Sequence, residues 1–174
     1  MKKIILTIMA FAIIAIGGLF AINGKDNYDA SKYSVTATNG INIESQLSLT
    51  LPDQFDRAYS LGSDTKKIIF VFAKATGHTV KSFLSKQDKE YLNSRNTLFV
   101  ADVSPMPTVI RNTFALPDLR KSEYSVLLIY DKEIAKTLKN EEKSDKIAVA
   151  EIENKTIKSI QYLSTEDELI KALN

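Results

Sequence analysis

Thr76-Gly77-His78-Thr79 sets two hydroxyls three residues apart around the only histidine of the chain. A threonine becomes a nucleophile when an adjacent base takes its proton, and His78 is the one imidazole able to do so. No third group that would orient that imidazole is evident. The plainer role is capping, in which either threonine accepts from the first unpaired amides of a following helix, and residue preference favours it. His78 as a metal ligand would have only carboxylates for company, because the chain has no cysteine, so a zinc or copper site does not follow and a solvated histidine does. Haem would need the same histidine or a methionine such as Met106, without a supporting pattern. The scattered glycines do not form the G-x-G-x-x-G turn of a flavin or nicotinamide site. Further along, Asp102 ends an apolar run and Ser104-Pro105-Met106-Pro107 comes next; capping of the next helix is again the plainer role. No catalytic residue, metal or cofactor is assigned, and the candidate binding loop comprises Thr76, Gly77, His78 and Thr79 with Ser104 and Met106.

The elements that hold these residues are set by hydrophobic period. Lys66 to Ala73 is a continuous apolar run with β-branched and aromatic members, which suits a strand buried on both faces. His78 to Leu92 places Val80, Phe83, Leu84 and Tyr91-Leu92 at helical intervals, with a break near Ser85 to Asp88. Thr97 to Val103 and Tyr124 to Tyr130 read as two more buried strands, separated by a short helix that Pro105 and Pro107 open and Pro117 ends. Upstream, Leu47 to Leu51 alternates with period two and pairs with a strand around Arg57 to Leu61. Downstream, a helix over Lys132 to Lys139 precedes a hairpin of Lys146 to Glu153 and Thr156 to Leu163, joined at Asn154-Lys155. Ser164 and Thr165, each three residues before an acidic side chain, give two capping-box registers for a last helix striped by Leu169, Ile170 and Leu173.

Composition bounds the rest. In 174 residues, 44% of them hydrophobic, there is room for one domain and an appendage. Lys2 and Lys3 precede an apolar run from Ile4 to Ile22 interrupted only by Thr7, Gly17 and Gly18. A secretory signal has an apolar core of roughly 7 to 15 residues and a spanning helix about 20, so the length favours an uncleaved anchor over a removed signal peptide. Either form keeps the basic end cytoplasmic and exports the remainder of the chain to the periplasmic side of a cell envelope. With no cysteine, lipoprotein processing is excluded. Without Lys2 and Lys3 the 23 basic residues become 21, equal to the 21 acidic ones, so there is no basic face for nucleic acid. Residues 25–42 are polar and punctuated and read as a linker, with a short extended piece at Tyr33 to Thr38. The division expected is therefore 1–24 signal or anchor, 25–42 linker and 43–174 folded domain.

The order of elements resembles the thioredoxin fold of membrane-anchored thiol-disulfide reductases and peroxiredoxins. Leu51-Pro52-Asp53-Gln54-Phe55 with Tyr59-Ser60-Leu61 resembles the lead-in of those families, and Thr76-Gly77-His78-Thr79-Val80-Lys81 resembles their Cys-Gly-His/Pro-Cys-x-Lys. The likeness spans Leu47 to Asn174. It implies a three-layer α/β/α domain with a mixed central sheet and an added N-terminal β-hairpin, preceded by the hydrophobic helix. Two departures stand out: hydroxyls replace both sulfurs, and Glu123-Tyr124-Ser125 stand where the cis-proline belongs. Disulfide exchange and thiol peroxidation need a thiolate, which this chain cannot supply. The expectation is a redox-inactive thioredoxin-like domain that binds a peptide or protein partner in the envelope. The alternative is an envelope enzyme or cofactor binder that reuses Thr76 to Thr79 with Ser104 and Asp102. A purely structural subunit is a third possibility. An apolar groove beside residues 76–79 favours the first, and a pocket of convergent polar groups the second.

Overall fold

The structure is a computed structural model that describes residues 17, 18, 20 and 22–174. The signal or anchor expected at 1–24 lies largely outside the described residues, among which no helix is long and apolar enough to cross a membrane. A five-stranded sheet has the order β6-β5-β4-β7-β8, with β4 (Lys67–Val71), β5 (Thr97–Asp102), β6 (Leu127–Ile129), β7 (Ile147–Glu153) and β8 (Thr156–Leu163). β4, β5 and β6 run parallel and β7 and β8 antiparallel, so the sheet is mixed. Asn154 and Lys155 turn the last hairpin with φ of 49° and 64°, the left-handed pair that a two-residue turn needs to match strand twist.

Alternation along β4 shows why its sequence is apolar without interruption. Ile68 and Phe70 face one side, with Val100, Leu127, Ile129, Ala148 and Ala150. Ile69 and Val71 face the other, with Phe99, Leu128 and Val149. The second face is covered by α1 (Lys74–Leu84), by α2 (residues 108–119) and by α4 (Glu166–Leu173), through Val80 and Phe83, Leu116, and Leu169 and Leu173 respectively. The capping box of α4 uses the second of its two registers, Thr165 with Glu168. On the first face lie Ala135 and Leu138 of α3 (Lys132–Leu138) and, beside them, a small antiparallel sheet of β1 (Ser34–Ile41), β2 (Leu47–Pro52) and β3 (Ala58–Ser60). That outer layer is thus part helix and part sheet, and the expected hairpin is a three-stranded sheet.

Three boundaries differ from expectation. Of the segment 25–42, residues 34–41 form β1, paired in register with β2 from Ser34 opposite Thr50. Its pattern is muted because only Val35 and Ala37 among its central residues pack inward, against the core that Leu47 and Leu49 fill. Residues 23–33 are strapped down as well. Tyr28 stacks between Tyr33 and Tyr130, with ring centroids 5.5 and 4.9 Å away. Second, α1 begins at Lys74 rather than His78 and ends at Leu84. Third, Pro117 does not end α2. It lacks the N–H that the Thr113 carbonyl would receive, and the helix absorbs this with a π turn over Arg111–Ala115 and continues as Leu116–Leu119.

Candidate functional site

The early start of α1 changes the chemistry expected of Thr76 to Thr79. Ala73 is the N-cap, with extended backbone and no side-chain cap, and the four residues lie inside the helix. The Gly77 N–H donates to the Ala73 carbonyl at 3.0 Å. Neither threonine caps: Thr76 Oγ1 donates to the Ala73 carbonyl at 2.9 Å and Thr79 Oγ1 to the Ala75 carbonyl at 3.2 Å. Such back-bonding satisfies a hydroxyl within its own helix. Among the described residues no hydroxyl–histidine hydrogen bond forms, so the nucleophile reading has no base in place.

A groove of about 360 Å³ opens between α1 and α2 at the ends of β4 and β5. Val71, Phe99 and Ala101 form its floor, Ala73 and Gly77 one wall, and Met106, Ile110, Phe114 and Leu119 the other. Of the candidate residues it gathers Gly77, His78 and Met106. Thr76 is buried on the core side, Thr79 bonds within its helix, and Ser104 is buried outside the lining. The lip is apolar: Ile110 is 45% and Phe114 61% exposed. These residues were missed by sequence reasoning, although Met106, Ile110 and Phe114 form a stripe at four-residue spacing.

The polar groups of the groove are mostly engaged. Lys81 of α1 pairs with Asp118 of α2 across one end, and that ammonium holds the Asp118 carboxyl below its ordinary value. Asp102 sits in the lining and accepts from the Ser104 N–H at 2.9 Å. Burial pushes the Asp102 carboxyl up, and the Ser104 hydrogen bonds and the Lys139 charge only partly oppose this. The segment Glu123-Tyr124-Ser125 is held from the turn after β2. The Gln54 side chain, 1% exposed, donates to the Tyr124 carbonyl at 2.8 Å and accepts from the Val126 N–H at 2.9 Å. A glutamine thereby supplies both halves of a strand-like pairing where the resemblance leads one to expect proline.

Among the described residues no group of three or more His, Asp or Glu side chains converges as a metal site. The arrangement can hold an apolar group against floor and lip; it presents no assembled acid, base and nucleophile.

No protein-family model matches the chain, and neither does any curated protein. Solved structures do. A proposed protein disulfide isomerase from Bacteroides thetaiotaomicron superposes with a TM-score of 0.51 at 14% identity, over 80% of this chain and 89% of that one. A thioredoxin-like protein from Porphyromonas gingivalis gives 0.47 at 18% identity, over 71% and 86%. The exposed lipoprotein thioredoxin of Streptococcus pneumoniae gives 0.49 at 13%, over 72% and 97%. At such identities the likeness is one of fold, and together with the absence of cysteine it makes this chain a thioredoxin-like protein without redox cysteines.

Proposed function

We propose that the protein is a redox-inactive thioredoxin-like domain of the cell envelope, tethered by its N-terminal apolar run, which binds a protein or peptide partner by seating an apolar side chain in the groove between α1 and α2. The observation that carries this is the groove itself: its floor and lip are hydrocarbon, and Lys81 and Asp118 of its lining pair with each other. Ligand sites are concave and mostly apolar with few polar groups, and an exposed apolar lip is unusual on a face that meets only water. The enzyme alternative has Asp102 in the lining, but the Thr76 and Thr79 hydroxyls are committed to backbone carbonyls.

The test is site-specific photo-crosslinking in intact membranes. A photoreactive residue at position 106, in the groove wall, should capture a protein, and one at position 59 on β3 should not. Gly77→Leu, which fills the groove from α1, should abolish the adduct at 106. No protein adduct at 106, or one undiminished by Gly77→Leu, overturns the reading.

A further inference from the structure

A single charged residue anchors the turn of α2 that carries the lip of the groove. Of residues 108–115 only Arg111 is buried, and Val109, Ile110, Phe114 and Ala115 pack into neither half of the hydrophobic core. We infer that Arg111 is a positioning residue for this wall of the groove, and that the strap of residues 23–33 is the latch that holds it in place. The consequence for a partner rests on the proposed recognition role; the positioning of the wall does not.

A helix is ordinarily held by the apolar stripe it buries. In this turn the apolar side chains line the groove instead, with Ile110 and Phe114 exposed on its lip. The grip comes from the strap. Asp26 Oδ1 lies 2.8 Å from Nη2 of Arg111, which is 3% exposed. Burial raises the Asp26 carboxyl, but Arg111 outweighs it and the net shift is downward, as for an ion pair that forms. The guanidinium lies over the Tyr130 ring, 4.6 Å from its centroid, and Tyr28 of the strap stacks on the same ring. Asn112 is two residues from both Ile110 and Phe114, hence about half a turn round the helix from the lip. Its Nδ2 donates to the Asn23 carbonyl at 2.9 Å and to the Lys25 carbonyl at 3.0 Å. Ion pair and amide thus fasten the strap to two consecutive residues of the turn.

Arginine does not shed its proton in a protein, so Arg111 is a buried charge. Among the described residues Asp26 is its one ion-pair partner, and neither Nε nor Nη2 is in line for a hydrogen bond. Taking one member from a buried pair leaves the other as an uncompensated charge, which is the costly case. With Asp26 gone the guanidinium moves toward water, and the turn that it anchors moves with it. Little resists: the segment lies between Pro107 and Pro117, its π turn already departs from the regular ladder, and no apolar side chain pins it to the core. The floor of Val71 and Phe99 belongs to the sheet and stays. A docked strap therefore sets the distance between the two walls, and by linkage an occupant of the groove favours the docked strap in return.

The chain has no cysteine, so spin labels go only where cysteines are placed. The full chain in detergent micelles carries labels at His78→Cys and Phe114→Cys, across the groove, or at His78→Cys and Gln161→Cys, from α1 to β8. Double electron–electron resonance reads both separations. Asp26→Ala should shift or broaden the 78–114 separation by several ångström and leave 78–161 as in the parent, and Asp26→Glu should restore the first. Asn112→Ala, which removes both amide hydrogen bonds, is the second variant in case Asp26→Ala unfolds and both separations broaden. A 78–114 separation unchanged in a folded variant overturns the latch, and equal displacement in Asp26→Glu overturns the part given to the charge. Where the wall moves, the photo-adduct at position 106 should fall several-fold. An adduct undiminished in Asp26→Ala overturns the coupling to binding, whereas one missing from the parent as well removes the recognition role and leaves the latch standing.

Discussion

Gly77→Ala should make the protein more stable. Gly77 occupies the fourth position of α1, where it donates the first intrahelical hydrogen bond, and its φ is not in the left-handed region that would require glycine. A Cβ added there would have Val71 Cγ2 as its nearest neighbour, at 3.9 Å, an ordinary van der Waals contact. Nothing has to move to admit the methyl. Glycine costs a helix interior about 0.8–1 kcal/mol relative to alanine, and restricting the unfolded chain contributes to the same difference. The net expectation is a gain of about 0.5–1 kcal/mol, or a Tm higher by about 2–5 °C for a domain of this size, read by thermal or urea unfolding followed by circular dichroism. A locally unfavourable residue at an unconstrained position needs another reason to be there, and the groove provides one, since Gly77 lies in its wall. Gly77→Ala should therefore be stabilising but neutral or slightly harmful to partner capture, and Gly77→Leu should be tolerated but blocked. A Tm that falls with Gly77→Ala would refute the geometry of α1, and undiminished capture by Gly77→Leu would refute the groove.

Gln54→Ala should cost about 1–3 kcal/mol in urea unfolding, because it leaves the buried Val126 N–H and the part-buried Tyr124 carbonyl without their partner. Asp102 has a folded pKa above its ordinary 3.8, so its ionisation opposes folding: stability contributed by the proton is present below that value and is lost as pH rises through the raised one. Asp102→Asn should thus gain stability over the parent between about pH 3 and pH 7, and a difference that is flat or shrinks with pH contradicts the burial. For cysteine pairs, Ala73→Cys with Thr76→Cys should oxidise to a disulfide more readily than Thr76→Cys with Thr79→Cys, as followed by free-thiol titration under mild oxidant. Two positions three apart inside a helix hold their Cβ atoms about 5–6 Å apart, beyond the roughly 3.5–4.5 Å of a disulfide, whereas an extended N-cap residue can turn toward the third helical position.

Strands buried on two faces announce themselves, and β4, β5 and β6 were legible as apolar runs because helices or sheet cover both sides of each. The terminal hairpin was legible from alternation and from a turn that tolerates left-handed backbone, and α4 from its capping box. The extended piece at Tyr33 to Thr38 was legible, but that it continues to Ile41 as β1 within the core was obscured because half of it faces solvent through Ser34, Thr36 and Thr38, and its pairing with β2 is a tertiary fact. The start of α1 was obscured by Thr76-Gly77-His78-Thr79, residues that favour turns and caps when judged singly. Packing of Thr76, Val80 and Phe83 inward overrides that preference. The groove was half legible. Gly77, His78 and Met106 were picked out, but the second wall depends on a π turn that carries α2 past Pro117, which the proline itself argues against.

The residues that stand where the resemblance places sulfurs bear directly on the proposed recognition role. A reactive helix start needs an exposed nucleophile whose pKa the free amides can lower. Here the N-cap is an alanine, and the hydroxyls one turn inside are tied to the Ala73 and Ala75 carbonyls. The nearby carboxylates are likewise engaged: Asp118 by Lys81 and Asp102 by the Ser104 N–H. Chemistry requires groups that interact more strongly with a transition state than with a ground state, and committed polar groups cannot change partners without loss. Binding requires only surface that gains by leaving water, and that is what the floor of Val71 and Phe99 and the lip of Ile110 and Phe114 present. The same end of the sheet that would carry a thiol pair thus presents, once its polar atoms are satisfied internally, an apolar seat.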